Sequence, residues 1–287
     1  MGADTDSNLA SWRKQRNSGL TIIFFGIFAL LITFLIYGRS SNIVITSESY
    51  KVLLDMAIAL YILLAIALIA TAFGIYRIYR SEKLRITFTN DNKSARSIIV
   101  KALEGRKYSM ILKLSAAGYG IFYAFITSLL VYRPNEVFSQ VYGASIPSWR
   151  IIPCCGTSGY IPIFVGYITE QFGFLVIPVN LILLLVVSAL VGINTALAVF
   201  AYDNRPKNAT ASWVGGFGAI TGLFTGCPTC AGTFFATMFG LGLSTTSALA
   251  LAPLQSLFVG VSIPVLFVTA LLTARNLKRS IYGCSID

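Results

Sequence analysis

Residues 151–170 read IIPCCGTSGYIPIFVGYITE. The stretch has the length of a membrane span, about 20 residues, yet it carries Gly156, Gly159 and Gly166 together with Pro153 and Pro162. Its reading decides the fold. As a full crossing it puts Arg205, Lys207, Arg275, Lys278 and Arg279 outside; as a segment that enters from the outside and returns, it leaves both basic clusters in the cytoplasm. The positive-inside bias selects the second reading. The expectation is an all-α polytopic membrane protein with six transmembrane helices plus one re-entrant segment, and seven transmembrane helices as the runner-up. A re-entrant backbone has to be covered by other helices, because unpaired N–H and C=O groups cannot face lipid.

Composition supports the membrane class. Of 287 residues, 56% are hydrophobic and 11% charged, against about 25% charged in soluble domains. The formal charge of +11 sits in tails and loops beside apolar stretches. That placement orients helices in a bilayer and does not build a nucleic-acid groove. Histidine is absent, which removes the commonest ligand for haem iron, copper and catalytic zinc and the commonest general base near neutral pH. No Walker, dinucleotide, Ser-His-Asp or His-Glu zinc motif is present.

Working outward in both directions, residues 1–19 form a polar cytoplasmic tail with Arg13, Lys14 and Arg16. Residues 20–37 are a retained first helix, too long for a signal core and without a nearby small-residue cleavage site. A polar link, 38–50, precedes a second helix over 52–76, with Asp55 near its outer end. Residues 77–109 are expected to be a basic cytoplasmic loop that meets anionic lipid or a partner. Between Arg77 and Lys113 lie ten basic and three acidic residues. Within this loop 86–89 resembles a strand and 97–103 a short helix. A third span, 110–132, closes the leading group of three helices, 20–132. Residues 133–150 are an extended outer loop. The cysteine-bearing membrane core, 151–274, continues with spans over 172–200, 212–242 and 246–272. A basic cytoplasmic tail, 275–287, follows. Asn180, Asn194 and Gln255 are intramembrane polar groups that line a path or tie helices together. The setting expected is a prokaryotic plasma membrane, multi-pass, with N- and C-termini cytoplasmic.

The densest chemistry is Thr225–Thr233, T-G-C-P-T-C-A-G-T. Proline suits the first position of a helix, so a broken helix restarts near Pro228 with Cys227 and Cys230 on its first turn. Unpaired N–H groups there lower a thiol pKa, and residues i and i+3 can bring their sulfurs within disulfide reach. Cys154 and Cys155 are adjacent, and a bond between neighbours is strained. Either can instead meet Cys227 or Cys230. Four gathered sulfurs also suit a copper(I), zinc or iron–sulfur centre, and buried packing accounts equally for small apolar cysteines. Cys284, near the end, is a free terminal thiol. The Pro-Cys-Gly-Thr pattern after Pro153 has an echo after Pro228, the arrangement of an internal repeat that faces two broken helices toward one site.

Six spans, basic cytoplasmic loops and two Pro/Gly-associated cysteine sites resemble the transmembrane domain of thiol–disulfide electron carriers, the cytochrome c biogenesis and disulfide-reductase type, over residues 150–275 at most. Three spans precede Cys154 here, and both cysteine sites are doubled. The resemblance implies that reducing equivalents from a cytoplasmic thioredoxin-like protein cross the membrane through intramembrane cysteines, with Cys155 in the first half and Cys227 or Cys230 in the second. The open alternatives are a non-catalytic or metal-associated subunit of a larger membrane complex, docked to other subunits, and a small-solute transporter with broken helices.

Overall fold

The computed structural model describes residues 2–40, 47–89, 94–153, 162–204 and 263–275. Two compact units divide the chain, Met1–Asn90 with Thr127–Leu183, and Asp91–Ile126 with Leu184–Asp287.

In the first unit, α1 (Gly2–Ser40) and α2 (Ser47–Thr89) form an antiparallel helix pair. Gly19 faces Ile78, and Gly26 faces Thr71. Carried along both helices, that register puts positions 12, 16, 19, 23, 26, 30, 33 and 37 of α1 against positions 85, 81, 78, 74, 71, 67, 64 and 60 of α2. The intervals alternate between three and four, the spacing of a coiled-coil seam. Small residues bring the backbones together: a methyl on Gly74 would lie 2.9 Å from the Gly19 carbonyl oxygen and 2.7 Å from Ile23. The outer faces carry Phe24, Phe25, Phe28 and Leu35, all exposed. At about 1.5 Å per residue, 39 and 43 residues make rods of roughly 58 and 64 Å, far longer than a hydrocarbon core of about 30 Å. Both helices therefore continue beyond their apolar stretches. Residues 77–89, expected as loop with a strand-like run at 86–89, are the last turns of α2 instead. No glycine or proline interrupts them, and pairing with α1 extends past the apolar zone.

The same unit holds a four-stranded antiparallel sheet in the order β1-β4-β3-β2, so the all-α expectation is corrected. The strands are β1 (Leu130–Tyr132), β2 (Ser148–Ile152), β3 (Ile163–Tyr167) and β4 (Phe172–Val176), with the short helix α5 (Phe138–Tyr142) between β1 and β2. Gly143, at φ 58°, ends α5, in the left-handed conformation that favours glycine. Phe138 is buried, with its ring 5.3 Å from Tyr167. Glu170, in the β3–β4 turn, accepts from the Ser139 hydroxyl at 2.7 Å and its backbone N–H at 3.1 Å. Opposite Phe174, Gly166 has no room for a side chain, since a methyl there would overlap the Phe174 ring.

Three expected boundaries change. The outer loop 133–150 contains α5 and most of β2. The third span is helical only to Ile126, and Leu130–Tyr132 is strand. The span expected over 172–200 begins as β4; Pro178 then opens α6 (Pro178–Asp203), filling a first-turn position where no N–H is needed. The seventh-helix reading of 151–170 is likewise corrected, because Ile152 pairs with Ile163 antiparallel and the chain doubles back between them.

In the second unit α3 (Ala95–Glu104) and α4 (Arg106–Ile126) pack with α6 and with α7 (Ile263–Arg275). Ser94 caps α3, its hydroxyl accepting from Ser97 N–H at 3.2 Å. The short helix expected over 97–103 is therefore present. It packs into a core, Ala102 lying with Leu197 and Ala270. A second cluster joins Val187, Val191 and Leu266. The backbones of α4 and α6 approach closely at Gly192, where a methyl would lie 2.9 Å from the Leu112 carbonyl oxygen. Asn194 Nδ2 donates to Leu190 O at 2.9 Å and to Leu266 O of α7 at 3.1 Å. It ties two helices together. At the exposed end of α4, Lys107 Nζ lies 2.6 Å from Asp203 Oδ2, and the Tyr108 hydroxyl donates to the same oxygen at 3.0 Å.

Among the described residues, three helices are long and apolar enough to cross a membrane: Ser11–Gly38, Tyr50–Phe88 and Pro178–Asp203. The chain is a membrane protein with lipid-facing helices.

Candidate functional site

Cys154, Cys155, Cys227, Cys230 and Cys284 lie outside the described residues, as do Gln255 and the second copy of the internal echo. What the structure does describe is the support on which Cys154 and Cys155 are strung. They follow directly after Pro153, in the connection 154–161 between β2 and β3. The ladder stops at Ile152↔Ile163, and the next residues on the two strands are Pro153 and Pro162. Neither can donate a ladder hydrogen bond, and each keeps only its carbonyl as a backbone hydrogen-bonding group. Both prolines are fully buried.

Each proline carbonyl meets a tyrosine of the helix pair. The Tyr37 hydroxyl, near the end of α1, donates to Pro153 O. The Tyr61 hydroxyl, on α2, lies 2.9 Å from Pro162 O and 2.7 Å from Val176 O, and shares its single proton between them. Tyr37 is buried with Ala57 and Leu60, and Ile151 of β2 packs against that cluster. The Tyr61 ring sits 6.1 Å from that of Phe164, which stands 5.6 Å from Phe174. Both ends of the cysteine-bearing connection are therefore pinned to α1 and α2 by buried hydroxyls. A shallow apolar cleft of about 140 Å³, lined by Thr33, Ile36, Met56 and Leu63 among others, opens beside Tyr37.

Sequence reasoning missed both tyrosines. A signal for Tyr61 was present, since a phenol within the aliphatic run I-A-L-Y-I-L-L needs a hydrogen-bond partner when buried. Nothing local names that partner, which lies 101 residues away for Pro162.

Among the described residues no three His, Cys, Asp or Glu side chains gather where they could hold a metal. No family model matches the chain, and neither a curated protein nor a solved structure matches it.

Proposed function

We propose that this membrane protein moves reducing equivalents by thiol–disulfide exchange through Cys154 and Cys155 in one segment and Cys227 and Cys230 in another. The observation that carries the reading is the pair of buried tyrosine anchors at Pro153 and Pro162. Exchange requires sulfurs held at a defined place, and both ends of the Cys154–Cys155 connection are fixed to the helix pair. The Cys-Pro-Thr-Cys spacing supplies the second dithiol.

The chemistry is a two-electron exchange. A thiolate of the Cys227/Cys230 pair attacks a partner disulfide, forming a mixed disulfide and expelling one partner thiolate. The second cysteine attacks the mixed bond, releases the other partner thiol and closes its own disulfide. The two protons of the dithiol leave with the two electrons. A thioredoxin-like dithiol restores the reduced pair by the reverse sequence.

Six crossings suit this work: α1, α2, α4, α6, the segment 212–242 and the segment 246–272, of which α7 is the described end. Residues 151–170 return to the side from which they came, and both termini face the cytoplasm of a prokaryotic cell. The strands flanking Pro153 and Pro162 belong at the outer surface, because open sheet edges do not face hydrocarbon. Exposed Tyr132 and Trp149 suit the aromatic belt there. Tyr37 and Leu60 would mark the outer hydrocarbon limit and Leu20 and Arg77 the inner one. Eighteen residues of each helix then span about 27 Å.

The test is cysteine mapping by mass spectrometry on gently isolated protein, with thiol labelling before and after reduction and metal analysis of the same sample. A reducible Cys227–Cys230 bond, or a bond from either to Cys154 or Cys155, is expected. Sulfurs protected until a stoichiometric metal is removed would replace this reading with a metal-associated complex subunit. Free thiols without metal would leave packing or solute transport.

A further inference from the structure

The α1/α2 seam stays paired beyond its apolar stretch, and at that end its positions are Trp12 and Arg16 on α1 and Ser81 and Arg85 on α2. The Arg16 guanidinium stands 4.5 Å from the Trp12 ring centre, and Arg85 reaches the same ring from the other helix at 5.8 Å. Glu82 answers one of the two cations, its Oε2 lying 3.1 Å from Arg85 Nε. Among the described residues, Trp12 Nε1 and Arg16 Nε are buried donors with no acceptor in reach. Nearer the apolar stretch, Arg77 Nη1 donates to Ser18 Oγ at 2.8 Å and so crosses to α1. Residues 11–19 and 77–85 together hold seven cationic side chains and one carboxylate. Arg13, Lys14, Arg80 and Lys83 are exposed, whereas Arg16, Arg77 and Arg85 are half-buried along the helix pair, where solvent screens a charge less than on an open face.

Depth narrows the ligand. Apolar sequence begins at Leu20 on α1 and ends at Tyr76 on α2. At about 1.5 Å per residue, Arg16 and Arg77 lie within roughly 6 Å of that boundary. The headgroup layer occupies about 5–8 Å on each face. Guanidinium groups bind phosphate through paired N–H donors, and tryptophan favours the same layer.

We propose that this end of the α1/α2 pair is a binding site for the phosphate of an anionic phospholipid headgroup, gripped by Arg16 and Arg77 with Trp12 and Arg85 closing its outer side. The site is independent of the cysteines and of any redox activity.

The full-length protein in mild detergent is titrated with short-chain phosphatidylglycerol or phosphatidylcholine, and bound lipid is counted by native mass spectrometry. Phosphatidylglycerol is expected to be retained roughly tenfold better than phosphatidylcholine, because basic residues near the surface favour the lipid with net negative charge. The double variant R16Q/R85Q is expected to lose most of that preference. R13Q/K14Q, which removes two charges from exposed positions, is expected to keep it. Equal retention of the two lipids, or equal loss in the two variants, overturns the site. Millimolar inorganic phosphate is expected to leave the lipid bound, and displacement would overturn the lipid assignment in favour of a free anion. If R16Q/R85Q does not fold, R16K/R77K decides, because charge stays and the planar fork goes. Its phosphatidylglycerol retention is expected to fall severalfold, and unchanged retention overturns the site.

Discussion

Tyr37 and Tyr61 show what one hydroxyl can do in an apolar setting. Each satisfies a proline carbonyl that has no ladder partner, and leaving such a group unpaired costs about 1–3 kcal/mol. Tyr61→Phe removes a proton that serves both Pro162 and Val176, so it is expected to lower stability by about that amount, measured as the unfolding midpoint in detergent. The same variant, and Tyr37→Phe, are expected to raise the alkylation rate of Cys154 and Cys155 by freeing one end of their connection; unchanged rates in both would remove the anchors from the redox proposal. Cys227 and Cys230 stand out in the sequence because Cys-x-x-Cys is a local pattern, and Cys154 and Cys155 because they are adjacent; all four lie outside the described residues. The tyrosine anchors do not stand out, since each hydrogen bond joins residues more than 100 positions apart.

Among the elements, the helix pair and the sheet were unequally readable. Continuous apolar runs identified α1, α2 and most of α6, but not their ends. Leu130–Tyr132 and Phe172–Val176 are apolar runs of three and five residues that fit a helix or a strand by composition, and only pairing between β1 and β4 separates the two. Pro178 was the available signal for where strand stops and helix begins. Close backbone approach yields a sharper contrast. Gly74→Val pushes a side chain into Ile23 and the Gly19 carbonyl and is expected to destabilise the pair by about 1–3 kcal/mol. A methyl on Gly118 meets nothing within 4 Å, so Gly118→Ala is expected to be neutral or stabilising by up to about 1 kcal/mol. Comparing the two unfolding midpoints checks both statements. At Gly166, substitution by Ala is expected to displace the Phe174 ring and loosen the β3–β4 pair, read as faster hydrogen exchange in those strands.

At the scale of the whole molecule, the six crossings proposed above would put the end of α2 and the basic tail on one side. Single cysteines introduced as Arg80→Cys and Lys278→Cys, in a background free of other cysteines, are expected to react with an impermeant maleimide from the same face of sealed vesicles. Labelling from opposite faces would remove the six-crossing proposal. Hydropathy, charge placement and the lack of histidine are sums over residues, so the chain by itself determined its membrane class and excluded histidine-based chemistry. The strand pairing by which 151–170 doubles back, the sheet that replaces part of two expected spans, the helical extension of α2 and the tyrosine anchors were decided only in the folded protein. The sheet joins strands distant in sequence, the anchors join residues more than a hundred positions apart, and the extension of α2 follows from packing against α1, so none of these leaves a periodicity in the local sequence.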